Sequence, residues 1–297
     1  MTVNRKRVWM EKIFHAIFFM AASFAVVSVG AIIVLIFSRG LRPFFPGNIY
    51  GTYNFFDFVT GLNWRPAFGE FGVGYMIINS LLATLGAILL GVPISLLTAV
   101  FIAEVAPKPL AKLMQPAIEL LAAIPSVLYG VFGFAIIAPA VKSISPHPTG
   151  DSLLAVILVL TIMVLPTIVS VVVTSIRAVP QNYKEGSLAL GASKIQTIFK
   201  VILPAAKSGI LTGVVLGVGR AIGETMAVIL VAGNPEGGIP TTIFDRVRLL
   251  TTNIVLEQGY AAELQAQMLF STAVVLFFFI MIINIILSKI QKKAGDM

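Results

Sequence analysis

The chain has 297 residues, of which 58% are hydrophobic and only 11% charged, with a mean hydropathy of +0.97. Soluble domains carry about 25% charged residues, so this composition excludes an ordinary soluble enzyme and indicates a polytopic membrane protein. The net charge of +8 does not point to nucleic acid, because the basic residues sit at the ends of apolar runs rather than in one patch. With no cysteine, disulfides and thiolate metal sites are excluded as well.

The chain opens with Asn4, Arg5, Lys6 and Arg7, and an apolar run follows from Ile13 to Phe37. That run is 25 residues long, beyond the 7 to 15 of a signal-peptide core, so it predicts a retained first helix entering from the cytoplasm. Residues 39–75 are rich in Pro, Gly and Asn and predict an external loop whose Phe55, Phe56, Phe58 and Trp64 lie against the outer interface. Together, residues 1–75 form an N-terminal unit ahead of a core over 76–290.

A second span is expected from Tyr75 to Ala106, with Pro93 inside it and Glu104 near its inner end. The third runs from Pro116 to Val141 and contains Pro125, Gly130, Gly133 and Pro139. Broken helices often border a cavity, which makes Pro125-Ser126 a candidate lining position, with a packing kink as the alternative. A short polar loop from Lys142 to Asp151 leads to a fourth span, Leu153 to Ser175. His15 and His147 have no companions at metal-ligand spacing.

Residues 177–208 make the longest interior segment. Asn182 followed by Glu185 predicts a capped short helix, Gly191 a stop, and Lys194 the start of a second helical stretch up to Pro204. The small residues Gly186, Ser187 and Ala189 give that first helix a surface another protein can approach closely.

The fifth span, Gly209 to Gly233, holds two charges where a span should hold none. An arginine at a helix centre costs roughly 2.5 to 3.5 kcal/mol, so Arg220 needs a partner, a neighbouring helix or a hydrated path. On a continuous helix Gly213, Gly217, Arg220 and Glu224 share one stripe. Two readings follow: the stripe lines a path for an anion, or the two charges neutralise each other inside a bundle. A loop over residues 234–263, with Asp245, Arg246, Arg248, Glu257 and Glu263, is the natural place to meet a substrate-delivery protein. A sixth span follows from Leu264 to Ser288. With both termini cytoplasmic, 14 of 21 Lys and Arg fall inside and 6 outside, as the positive-inside rule asks.

Glu185-Gly186-Ser187, Gly191 and Ile202-Leu203-Pro204 resemble the EAA loop of bacterial ABC importer permeases, with Gly186 and Ser187 in place of the two alanines. The resemblance implies an all-α type I ABC importer permease fold of about six transmembrane helices, in which Glu185 to Gly191 docks on an ATPase subunit. GRAIGETMAVILVAGN at 219–234, FDFVTGLNWRP at 56–66 and IPSVLYGVFG at 124–133 narrow it to the phosphate importer permeases of the PstC type. That family implies inorganic phosphate as substrate and Arg220 and Glu224 as part of its path, with Thr225 and Ser126 as further candidate lining positions. The implied partners are a PstA-type sister permease, a cytoplasmic ATPase that binds ATP and Mg, an extracytoplasmic phosphate-binding protein and membrane lipid. The chain itself is expected to hold no cofactor or metal and, lacking a P-loop, not to hydrolyse ATP. The alternatives are a permease for sulfate or molybdate, an ion-coupled secondary transporter, and a membrane scaffold.

Overall fold

The computed structural model describes residues 5–295, with side chains over 9–293; the basic side chains at 5–7, and Asn4, lie outside the described residues. The helices in chain order begin with α1 (Arg5–Gly40) and α2 (Phe55–Thr60), and a two-stranded antiparallel hairpin follows, β1 (Trp64–Arg65) and β2 (Glu70–Phe71). Next come α3 (Gly74–Val100), α4 (Lys108–Ala123), α5 (Ser126–Phe132), α6 (Ala138–Lys142) and α7 (Leu153–Arg177). The second half holds α8 (Gln181–Ala189), α9 (Lys194–Thr197), α10 (Leu203–Ala205), α11 (Lys207–Gly223), α12 (Met226–Ile229), α13 (Leu250–Gln258) and α14 (Glu263–Gly295). π-helical turns at Gly133–Ile137 and Ile198–Ile202 join neighbouring helices without a break, and a third, Phe101–Val105, ends α3 before the chain turns extended at Ala106.

Among the described residues four helices, those including α1, α3, α7 and α14, are long and apolar enough to cross a membrane. Two bent pairs, Lys108–Ala123 with Ser126–Lys142 at 95° and Lys194–Ala205 with Lys207–Gly223 at 70°, bring the total to six if each is one span. The expected third span is therefore not one rod but two segments at nearly a right angle. Pro125 explains this, since it cannot donate to the ladder and its ψ of 136° turns the chain out of the helix.

The buried axis of the fold is α7, an almost unbroken Val/Ile/Leu sequence whose N-terminus is capped by the Ser152 hydroxyl, accepting from the Ala155 amide at 3.2 Å. Small residues let its neighbours come close. A Cβ on Gly86 or Gly91 of α3 would meet Ile157 at 2.5 Å or Val164 at 2.9 Å, so α3 runs parallel to α7. On the other side α11 lies antiparallel, with Gly213 against Val172 and Gly217 against Ile168. By contrast, α1 exposes its apolar side chains all round and packs on α14, where the Phe37 ring meets Phe277 and Phe278 at 5.5 and 5.7 Å. Helices apolar all round need lipid in place of a core.

The bundle has two different ends. One carries residues 41–73, the 143–152 loop and the segment 230–262, stitched together by Trp64 N donating to Glu236 O at 2.6 Å and Leu153 N to Asp245 O at 2.8 Å. Of the aromatics expected at an interface there, Phe55 and Phe56 are exposed, whereas Phe58 and Trp64 are buried. The ring of Trp64 packs edge-on against Phe71 at 5.2 Å, so half of that aromatic set belongs to a small core under the loops. The opposite end carries α8.

Candidate functional site

Arg220 and Glu224 do not share a helical face. Helix α11 ends at Gly223, Glu224 is extended (φ −74°, ψ 132°), and the chain restarts as α12 at Met226. The expected continuous span over 209–233 is thereby corrected, and with it the one-turn pairing of the two charges. Glu224 instead turns forward: its Oε1 accepts from the Ala227 amide at 3.0 Å, capping α12, while its carbonyl accepts from Thr251 Oγ1 at 3.0 Å. Part of the physical reason is local. Five glycines between 209 and 223 weaken the helix, and a carboxylate three residues ahead of an orphan amide is a better cap than a helix-interior residue.

The glycine stripe is a helix contact, since Gly213 and Gly217 face α7. Arg220 continues that face, and its Nη1 donates to Thr167 Oγ1 of α7 at 2.8 Å. A guanidinium has five donors; among the described residues this is the only hydrogen bond Arg220 makes, and no ion pair includes it. A half-buried arginine within an apolar span thus has most of its donors unbonded among the described residues of this chain. Thr225, the residue between the two helices, is half-buried, its hydroxyl 3.5 Å from Gly223 O.

Ser126 begins α5 immediately after the Pro125 break and is half-buried. Helix α5 packs on α12 so tightly that a Cβ on Gly130 would lie 2.8 Å from Ala227 Cα. The fold therefore brings the two interrupted helices side by side, though no hydrogen bond links Ser126 to Arg220 or Glu224. The Tyr129 hydroxyl donates to Leu121 O at 2.7 Å. The two cavities of about 570 Å³ lie elsewhere, along α14 and between the 147–151 and 235–246 loops.

At the other end, α8 starts at Gln181 with Pro180 as its N-cap, so Asn182 sits inside the first turn and does not cap. Proline presets the backbone for a helix start and displaces the expected cap by two residues. Gly191 stops the segment as expected, at φ +87°. The following helix opens with a capping box, Ser193 with Gln196, a Ser-x-x-Gln signal that the sequence carries one residue ahead of the expected start at Lys194. Glu185, Gly186 and Ala189 are exposed, and Ser187 lies inward with its hydroxyl 3.0 Å from that of Thr197. Tyr183, Leu188, Leu190, Ile195 and Phe199 add exposed apolar surface around them.

Arg248, expected on an exposed loop, is buried. It donates to Asn234 O, Asn253 Oδ1 and Glu257 Oε1, the last at 3.1 Å. Asp245 is occupied too, accepting from the amides and hydroxyls of Thr241 and Thr242 and lying 2.9 Å from His147 Nε2. The Thr242 amide, followed by the other Thr241 and Thr242 donors, holds its carboxyl well below the usual carboxylate range against a smaller opposing effect of burial. Both side chains are thus committed to bonds within the loop end. Thr167 and Thr251, which hold Arg220 and Glu224, carry no sequence signal, because a lone hydroxyl in an apolar run most often bonds its own helix.

Residues 91–294 match the family described as binding-protein-dependent transport system inner membrane component. A probable ABC transporter permease protein of Bacillus subtilis, YqgH, is 38% identical over 267 residues, covering 87% of this chain and 85% of its own. Phosphate transport system permease proteins PstC are 32% identical in Pasteurella multocida (81% of this chain, 82% of theirs) and 30% in Mesorhizobium japonicum (92% and 87%). Among solved structures, a bacterial ABC transporter involved in import of the acidic polysaccharide alginate aligns with a TM-score of 0.65 at 18% identity, over 97% of this chain and 99% of that one. The inward-facing MetNI methionine ABC transporter aligns at 0.60 and 20%, over 75% and 95%. At such identities these two show the fold alone, that of type I ABC importer permeases. With the family matched over most of its length and relatives of 30–38% identity over 81–92% of it, this chain belongs to the binding-protein-dependent transport system inner membrane components, as an ABC transporter permease.

Proposed function

We propose that the chain is a transmembrane subunit of an ATP-driven importer of inorganic phosphate and forms part of the phosphate path. The observation that carries this reading is Arg220, a half-buried guanidinium with one hydrogen bond to this chain, near the end of the interrupted helix α11. Phosphate is a compact oxyanion, and a planar guanidinium offers it paired hydrogen bonds and a charge that persists at working pH. The likeness to PstC proteins supports phosphate as the anion.

In this reading Glu224 has a different task from the one its spacing suggested. It holds the start of α12 in place and leaves Arg220 open, so the anion does not have to displace an ion pair. Thr225 and Ser126, at the two helix interruptions, are the next polar groups along the path. Docking of an ATPase on Glu185 to Gly191 supplies the energy, by favouring one of two packed arrangements of the bundle. ATP and Mg belong to that partner, and this chain holds neither. A PstA-type sister completes the path, a phosphate-binding protein delivers from the loop end, and both termini lie in the cytoplasm, as the charge distribution supports.

The test is uptake of radiolabelled phosphate, with phosphate-stimulated ATP hydrolysis, in vesicles carrying this chain with its sister, ATPase and binding protein. Glu185→Lys is expected to lose the ATPase subunit, and Arg220→Ala to keep it while abolishing uptake. Uptake without any ATPase refutes the reading in favour of a secondary carrier. Stimulation by sulfate or molybdate but not phosphate overturns the substrate alone.

A further inference from the structure

Resting on that reading, we propose that the ion pair between Lys184 and Glu104 is a positioning device that ties the motion of α8 to α3. Lys184 and Ser187 are three residues apart and so share one face of α8, the face turned to the bundle, while Glu185, Leu188 and Ala189 stay exposed. Each inward residue makes one side-chain bond: Lys184 Nζ to Glu104 Oε2, and Ser187 Oγ to Thr197 Oγ1. The second tie stays within the same segment of chain. Only the first reaches a membrane-spanning helix, across 80 positions of sequence.

Glu104 sits in the π-turn that ends α3, where a wider turn redirects side chains away from ordinary helical spacing. The glutamate is 11% exposed and the lysine 27%. Both border a cleft of about 210 Å³ shared with Arg177, Gln181 and Ile202. Arg177, the other cation there, donates to Gln115 of α4 and leaves Glu104 to Lys184. An ion pair removed from water to this degree adds little net stability, because desolvation offsets most of the attraction. Its distinctive property is directional. It holds one point of α8 against one point of α3, between a proline on one side and a left-handed glycine on the other, both of which free α8 from its chain neighbours.

The consequence reaches the Arg220 region through rigid packing. Helix α3 lies along α7 with Gly86 and Gly91 in contact, and α7 carries Thr167, the partner of Arg220. A displacement of α8 that is passed to Glu104 thus acts on the helix that packs against the arginine's support.

The experiment uses the full complex in lipid vesicles, with the ATPase subunit, basal ATP hydrolysis, phosphate-stimulated hydrolysis and uptake measured separately for Lys184→Glu, Glu104→Lys and the double exchange. Each single variant is expected to keep the ATPase subunit and basal hydrolysis and to lose roughly tenfold in stimulation and uptake, with the double exchange returning to within about threefold of wild type. Single variants with wild-type stimulation, or a double exchange no better than the singles, overturn the proposal. So does a loss that follows complex yield alone, since a merely structural pair behaves that way. If the wild-type chain itself retains no ATPase or moves no phosphate, the functional reading fails, a result plainly different from uncoupling in the variants.

Discussion

Replacing Glu224 separates the capping role from a role for its charge. Alanine removes the oxygen that accepts from the Ala227 amide at 3.0 Å and leaves that amide, in a fully buried residue, without its acceptor. Hydrogen bonds to charged groups are worth about 1.5–3 kcal/mol, which sets the expected loss. Glutamine has the same length and keeps a carbonyl oxygen in place, so it retains a neutral hydrogen bond and loses only about 1 kcal/mol. At about 2–4 °C per kcal/mol, alanine lowers the unfolding midpoint of the lipid-embedded complex by roughly 3–12 °C and glutamine by roughly 2–4 °C. Uptake follows the same order, with glutamine well above alanine. The assay is thermal unfolding alongside phosphate uptake on the same preparations. Equal destabilisation by the two variants, or a glutamine variant as stable as wild type but as inactive as alanine, refutes the capping argument.

Three further outcomes are expected. Gly130→Val places a side chain against the Ala227 backbone, where a Cβ alone would already sit at 2.8 Å, so α5 and α12 must separate at a cost of about 1–3 kcal/mol; undiminished stability and uptake contradict the tight packing of the two interruptions. Arg248→Met leaves Glu257 without its cation and should cost about 3 kcal/mol in a purified-complex unfolding assay, more than the Arg248→Met/Glu257→Met double variant; a worse double variant denies the pairing. The depressed carboxyl of Asp245 contributes stability that is fully present above its unfolded pKa of about 4 and is lost as pH falls through its lower folded value. Hydrogen exchange in residues 235–246 should therefore be flat from about pH 5 to 8 after correction for intrinsic rates, and loosen only below about pH 4; Asp245→Asn should abolish that acid-side transition, and a wild-type midpoint near pH 6 contradicts the assignment.

Much of the architecture is carried by periodicity and composition, which act locally. The long apolar runs at the first, second, fourth and sixth positions became helices close to their expected bounds, because burying backbone polar groups in lipid leaves a helix as the only economical choice for such a run. Gly191 stopped α8 for an equally local reason, the left-handed backbone only glycine adopts without strain. The Glu185 to Gly191 segment likewise announced a small, exposed helical surface in its residue types.

Tertiary packing decided the rest. Nothing local states that Arg220 bonds Thr167, 53 residues earlier, or that Lys184 meets Glu104, since neither pair has a sequence pattern. Hydropathy saw residues 209–233 as one span because it counts apolar residues and does not weigh competing hydrogen bonds. The helix ended at Gly223 once the Ala227 amide and the Thr251 hydroxyl had claimed the side chain and the carbonyl of Glu224. Composition and periodicity by themselves determined that this chain is a membrane bundle with a charged position in a late span and a polar helix at one end. Only the packed structure determined which donors are left over at that charge, because an unpaired guanidinium is defined by what its neighbours fail to supply.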